Sequence, residues 1–336
     1  MKKLLAMLMA CTMIFSLSAC SGGSSEQAET ASAGTSSAES TADDSTSKDS
    51  GDLITVGFAQ VGHESDWRTA STNSVQAALS KDNGFDLQFV DCDNDSAKQL
   101  EAVRNFIQQG VDYIVIDPIV STGWDTVLGE AQNAGIPVIV IDRTIDDSDK
   151  YTAWVGSEFT NEGLAAGAWL KDYAAAKGIK EINALVIEGT TGSSAQIGRT
   201  AGFKKIADEN GWKILDSQTG NFTQDGGQSV MESYCKSYQG KFNVVVCQND
   251  NEAFGAEDAM SAAGVKFGTD GDVILISFDA CKAGLKDVLA GKINADFQCN
   301  PLQGPFCADI IKNLAADKDV EKKTYMVEPW YVSEDS

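Results

Sequence analysis

The sequence predicts an α/β protein of two doubly wound, parallel-sheet lobes. Three observations lead there. Short apolar runs recur from Leu53 onward: Ile54–Phe58, Leu87–Val90, Tyr113–Ile116, Val138–Ile141, Ala184–Ile187, Val244–Val246 and Val273–Ile276. Amphipathic stretches separate them, as in a parallel sheet covered on both faces by helices. The pattern also echoes itself. Gly84-Phe85 closes one helix before a strand that ends near Asp91, and Gly211-Trp212 closes another before a strand that ends near Asp216. Two similar lobes of roughly 130 residues suit the size of ordinary domains, and 336 residues suit about two of them.

The chain opens with a leader. Lys2 and Lys3 precede an apolar stretch, Leu4 to Leu17, too short to span a bilayer comfortably. Leu17-Ser18-Ala19-Cys20 resembles the lipobox of bacterial lipoproteins. That resemblance implies a signal peptide over 1–19 and a mature N-terminus at Cys20, the lipidation site. The rival reading is a plain secretory signal with a chance cysteine. Residues 21–52 are mostly Ser, Thr, Ala, Gly and acidic side chains without an aromatic. They cannot bury a core, so 20–52 is expected to be a disordered, lipid-anchored tether. The acidity lies mainly beyond it, in the body that starts at 53.

Helical spacing is plain at Leu100, Val103, Phe106 and Ile107, with Gly110 as the stop. Composition removes several function classes. There are 49 acidic against 26 basic residues, a net charge of −23. That provides no basic face for nucleic acid or anionic lipid. His63 is the single histidine; a His-rich zinc site is excluded, and a His-based triad has one residue to draw on. The eight cysteines form no C-x-x-C pair, and no phosphate loop of the Walker form occurs. No metal or cofactor is expected.

Doubly wound sheets offer ligands the carboxyl ends of their strands. The segments just past those ends are Gln60 to Arg68, Asp142-Arg143, Gly189 to Gly192 followed by Arg199, Gly220-Asn221-Phe222, Gln248-Asn249-Asp250, Phe278-Asp279 and Gln298. Carboxylates and amides accept hydroxyl protons, and guanidinium forks donate to oxygens. An aromatic ring covers the C–H face of a ring-shaped ligand, with Trp67 and Phe222 as candidates. The set suits a hydroxyl-rich ligand held between two facing lobes.

These residues also carry a family resemblance. Ile54-Thr55-Val56-Gly57-Phe58, Gln109-Gly110-Val111-Asp112, Ala134-Gly135-Ile136-Pro137-Val138, Ile141-Asp142-Arg143, Glu162-Gly163 with Ala166-Gly167, and Gln248-Asn249-Asp250 resemble the ribose/galactose-type periplasmic sugar-binding family. The likeness covers about 53 to 332. Within the family it is similar to galactofuranose-binding proteins through Gln60 to Arg68, Thr122-Gly123-Trp124 and Gly220-Asn221-Phe222-Thr223.

The resemblance implies the periplasmic binding protein type I fold, with lobe 1 at 53–156 and 300–325 and lobe 2 at 157–299 and 326–336. Hinge crossovers are expected near 156–158, 299–301 and 325–327. It implies an extracytoplasmic lipoprotein that acts as a monomer and hands a monosaccharide to an ABC importer permease. Its only membrane contact would be the lipid anchor. The implied ligand set is Trp67, Arg68, Asp142 and Arg143 from the first lobe, and Arg199, Phe222, Asn249 and Asp279 from the second. Gln298 stands near the hinge; Gln60, Glu64, Ser65 and Ser157 are secondary members. The chain departs from the family at Phe159, where Asn is frequent, and at Gln224, where ribose binders carry arginine. Cys299 competes with Gln298 for its slot.

Each assignment has a plainer rival. Asp142-Arg143 read alone is a surface ion pair, Trp67 a core residue, Arg199 a solvated helix position, and Asn249-Asp250 a helix cap. Trp124 divides evenly between packing and cleft, and His63 reads as a loop residue. Six body cysteines, Cys92, Cys235, Cys247, Cys281, Cys299 and Cys307, are either buried thiols or disulfide partners. Cys235–Cys247 is the first pair to test. An Asp142/Asp279 acid–base pair is set aside because opposite closing lobes serve binding better than catalysis. The remaining rivals are a receptor feeding a sensor kinase and a nucleoside binder, which needs more stacking surface.

Overall fold

The computed structural model of the protein describes residues 53–333. The expected signal peptide, Cys20 and the tether lie outside these residues. All seven apolar runs are strands. The first sheet takes β1 (Ile54–Gln60), β2 (Phe85–Asp91), β3 (Tyr113–Ile116), β4 (Val138–Asp142) and β5 (Ala153–Gly156). The second takes β6 (Asn183–Glu188), β7 (Lys213–Thr219), β8 (Val244–Cys247), β9 (Ile274–Asp279) and β10 (Ala295–Gln298). Two late strands split between them: β11 (Lys323–Tyr325) joins the first and β12 (Trp330–Val332) the second.

The strand orders are β11-β5-β4-β3-β1-β2 and β12-β10-β9-β8-β6-β7. Apart from the sixth strand, the two windings are the same. All pairs are parallel except β10 with β12. The sequence echo is thus structural: β2 and β7 are corresponding edge strands. Each follows a left-handed glycine, Gly84 at φ +91° or Gly211 at φ +68°.

Within β4, Val138 and Val140 enter one core cluster while Ile139 and Ile141 enter another. In β8, Val245 and Cys247 face one side and Val244 and Val246 the other. Strands apolar on both faces need helices on both faces. The first sheet is covered by α1 (Asp66–Ala78), α2 (Ser96–Gln109), α3 (Asp125–Asn133) and, from late in the chain, α9 (Gly304–Ala315). The second is covered by α4 (Phe159–Lys177), α5 (Ser194–Asn210), α6 (Gln224–Ser237), α7 (Asp250–Ala262) and α8 (Lys282–Leu289). No helix among the described residues is long and apolar enough to cross a membrane.

The chain passes between the lobes three times, through 157–158, 299–303 and 326–329. Glu328 links these passages. Its Oε1 accepts from Ser157 Oγ and, at 2.7 Å, from Asn300 N. Trp124 is a core residue whose Nε1 donates to Val120 O at 2.8 Å, which decides for packing. The six body cysteines are free thiols. The expected Cys235–Cys247 disulfide is absent; both side chains fill the second lobe's core as small apolar groups.

Candidate functional site

The carboxyl ends of both sheets meet at one cleft. It is lined by Glu64, Ser65, Trp67, Arg68, Asp142, Arg143, Phe159, Ala195, Arg199, Phe222, Asn249, Asp279 and Cys299. Eight of the nine principal candidates are therefore in one place. The lobes touch across its rim: Ser121 N donates to Gly192 O at 2.9 Å, Thr144 N to Ser194 Oγ at 2.8 Å, and Asp66 N to Asn251 Oδ1 at 3.0 Å. The walls leave a small cavity between them.

The first lobe supplies a charged cradle. Ser65 caps α1 by accepting from Arg68 N at 3.1 Å, which fixes the first turn that carries Trp67 and Arg68. Arg68 is 2% exposed and grips three carboxylates: Glu64 at 2.9 Å, Asp142 at 2.9 Å, and Asp117 beneath them. Burial opposes its charge, but Asp117, Glu64 and Asp142 together raise its pKa well above the ordinary arginine value. Burial likewise opposes the charge of Glu64, yet Arg68 and Arg143 hold it below the usual carboxylate value. Burial raises Asp117 well above its ordinary value, against the pull of Arg68.

Arg143 is held more loosely, with Glu64 Oε1 at 3.5 Å, Asp142 Oδ2 at 3.9 Å and Ile119 O at 3.2 Å. It stands 5.3 Å from the Phe222 ring centroid, across the cleft. Both arginines lie deep, so the surface ion-pair reading of Asp142-Arg143 fails.

The second lobe repeats the motif with fewer charges. Arg199, on α5, bonds Glu162 Oε2 at 2.6 Å, Gln248 O, and Asp279 Oδ1 at 3.5 Å. It lies over Phe159 and Phe278 at 5.4 and 4.9 Å. Close helix packing sets its place: a Cβ on Gly163 of α4 would come within 2.4 Å of Arg199 O. Asp142 and Asp279 end corresponding strands, β4 and β9, and both sit at positive φ, +59° and +109°. Non-glycine residues rarely adopt that conformation, and it turns each side chain toward its lobe's arginine. Burial raises Glu162 to about 7 and Asp279 well above the carboxylate range, in each case against Arg199.

An apolar cluster of Trp67, Phe159, Ala195, Phe222 and Cys299 bridges the lobes. Trp67 Nε1 donates to Cys299 O at 2.6 Å. Phe222 has φ +62°, its N bonded to Glu252 at 2.8 Å, and its ring fills the space where Gly189 has no side chain. Asn249, rather than Asp250, caps α7 through Glu252 N at 2.8 Å, and its Nδ2 donates to Phe222 O at 3.0 Å.

Other candidates lie elsewhere. Gln298 faces two outer recesses, and Cys299 takes its expected place in the cleft. Gln60 is buried beneath α1, bonded to Thr72. Ser157 belongs to the crossovers, with Glu328 and Cys299 as partners. His63 is an exposed loop residue paired with Asp91 at 2.7 Å. Phe159, Ala195 and Cys299 are lining residues that the sequence reading left outside the ligand set; the departure from family pattern at Phe159 was the available signal.

Glu162, Cys299 and Glu328 place ligand-type atoms within 4.8 Å of one another. Glu162 is engaged by Arg199, and Glu328 by Ser157 and Asn300, so the group reads as hinge wiring.

Two buried atoms on cleft residues have no hydrogen-bond partner in the protein: the acceptor Glu64 Oε2 and the donor Arg143 Nε, whose nearest anion is Asp142 Oδ2 at 3.9 Å. Buried polar groups are otherwise nearly always paired. A ligand hydroxyl both donates and accepts, so it can satisfy groups of either kind.

The comparisons with known proteins agree with this geometry. A family model described as a periplasmic binding protein domain matches residues 56–319. The galactofuranose-binding protein YtfQ of Escherichia coli K12 is 37% identical over 280 residues, 80% of this chain and 85% of that protein. A Mycobacterium smegmatis protein solved in complex with β-D-fucofuranose is 43% identical, with a TM-score of 0.79 over 84% of this chain and 92% of that one. The crystal structure of a galactofuranose binding protein is 34% identical, with a TM-score of 0.80 over 84% and 95%. With its two equally wound lobes and shared cleft, the chain belongs to the periplasmic binding protein family, among its sugar-binding transport members rather than among enzymes.

Proposed function

We propose that the protein is an extracytoplasmic lipoprotein that captures a monosaccharide in furanose form and delivers it to an ABC importer. The observation that carries this reading is the pair Glu64 Oε2 and Arg143 Nε, neither with a hydrogen-bond partner, beside Trp67 and Phe222. It suits a small ring with hydroxyls on its edge and C–H groups on its faces. The relatives named for galactofuranose and the one bound to fucofuranose support the choice of ring.

The mechanism is closure. Lobe 1 comprises 53–156 and 300–325, and lobe 2 comprises 157–299 and 326–336. Contacts across the rim close the cleft, so a sugar enters when the lobes part about the three crossovers. The sugar then bridges the arginine–carboxylate groups of both lobes and favours the closed form by its better contacts there. Cys20 carries the lipid, and 20–52 lets the folded body reach the permease.

Calorimetry with galactofuranose, fucofuranose, arabinofuranose, ribose, pyranoses and nucleosides tests the reading. Saturable binding of a furanose, and not of ribose, is expected. Binding confined to nucleosides, or silence across the panel, would overturn it.

A further inference from the structure

Behind Asp279 lies a second pair of acids that does not line the cleft. Asp250 opens α7 and Asp296 sits inside β10; each is wholly buried. Both hold the turn that follows Asp279. Asp296 Oδ1 accepts from Ala280 N at 3.0 Å, and Asp250 Oδ2 accepts from Cys281 N at 2.8 Å. Asp250 Oδ1 accepts from Ser277 Oγ at 2.7 Å. The turn needs such anchors, because Asp279 and Ala280 are consecutive non-glycine residues at positive φ, +109° and +53°. Gly284 leaves the room, since a Cβ there would stand 2.3 Å from Asp250 Oδ2.

Three of the four carboxyl oxygens are thereby engaged. The fourth, Asp296 Oδ2, meets no N–H or O–H donor. Yet the two carboxyl groups are neighbours: Asp296 stands opposite Ser277 in the β9–β10 pairing, Ser277 Oγ donates to Asp250, and the two acids hold consecutive amides. Two bare carboxylates so placed repel, whereas one proton between them satisfies the remaining oxygen.

We propose that Asp250 and Asp296 share one proton, and that this proton-bound pair positions Asp279 for the ligand by clamping the Ala280 and Cys281 amides. The proposal rests on Asp279 touching the sugar. The groups facing the pair are Asp279 at the end of β9, Arg199 on α5, and the Cys247 and Cys281 thiols. Burial first, then Asp279, raises Asp296 to about 7. A group raised in the folded state keeps its contribution at low pH and loses it as pH climbs through the raised value. Burial and then Asp296 raise Asp250 well above its ordinary value, so Asp250 is the acid that keeps the shared proton once Asp296 is ionised; when rising pH removes that proton too, the pair becomes two adjacent anions and the clamp loosens.

The test is furanose affinity by calorimetry at about pH 6 and about pH 9, for the wild type and for Asp296→Asn. The wild type should weaken roughly tenfold at the higher pH. Asn keeps the Ala280 anchor through its oxygen and donates permanently to Asp250, so Asp296→Asn should bind alike at both. Asp296→Ala loses the anchor and should bind weakly at both. If Asp296→Asn keeps the full wild-type slope, the proposal fails. Absence of sugar binding in wild type at either pH would instead sink the functional reading. The ligand-free protein then decides about the pair. An infrared carbonyl band of a protonated carboxyl that disappears in Asp296→Asn supports it, and identical spectra overturn it.

Discussion

The two halves of the cleft use the same device with different charge. In the first lobe two arginines face Glu64, Asp117 and Asp142, and Arg68 alone touches all three acids. In the second, Arg199 is the one arginine on the cleft wall, facing Glu162 and Asp279 between the rings of Phe159 and Phe278. The acids respond differently: Glu64, set between Arg68 and Arg143, is held below its ordinary value, while burial lifts Asp117 beneath Arg68 and lifts Glu162 beside Arg199, the latter to about 7. The first half is thus a preformed ionic cradle. The second is a lid whose acids favour the proton, with fewer fixed charges to rearrange when it moves.

Removing Arg68 breaks the comparison most severely. Arg68→Ala leaves three buried acids without their common partner, and uncompensated buried charge costs about 3–5 kcal/mol. Thermal unfolding should show a protein that is barely folded. Arg143→Ala is the contrasting case. Its ion pairs are long, at 3.5 and 3.9 Å, and its Nε, which makes the longer one, has no hydrogen bond, so folding should survive while sugar affinity falls by about 100-fold. Unchanged affinity would remove Arg143 from the site.

The reasons these residues were legible are local. Strands buried on both faces are continuous apolar runs, and residues just past them face the cleft by topology. That made Asp142, Arg143 and Asp279 readable. Strands β5, β10, β11 and β12 were not, because they are three or four residues long and include Asp296 and Lys323. The exchange of Cys299 for Gln298 has the same origin. Successive residues of an extended chain point to opposite sides, so an error of one position moves the side chain out of the cleft. Phe159 and Ala195 reach the cleft through the close approach of α4 and α5, a contact between distant segments that no local pattern records.

Two smaller effects sharpen the contrast. Asp279→Asn suits a position where burial already favours the neutral form, so the melting temperature should hold while affinity drops about tenfold. A collapse in stability would show that the second lobe depends on its ion pair as the first does. The smallest effect concerns Glu162, whose folded value is raised from 4.5 to about 7. A raised acid stabilises the fold at low pH and loses that contribution as pH rises through this window. The ligand-free melting temperature should fall between about pH 5 and pH 8, and Glu162→Gln should flatten part of the decline. An unchanged slope would assign the proton elsewhere.

The central claim is that one sugar is gripped by both halves at once. Small-angle X-ray scattering of the protein with and without a saturating furanose tests it most directly. The account predicts a smaller radius of gyration on binding, with the loaded curve matching the closed arrangement described above. Saturated binding with an unchanged curve would contradict it, because the sugar would then be held without the lobes closing on it.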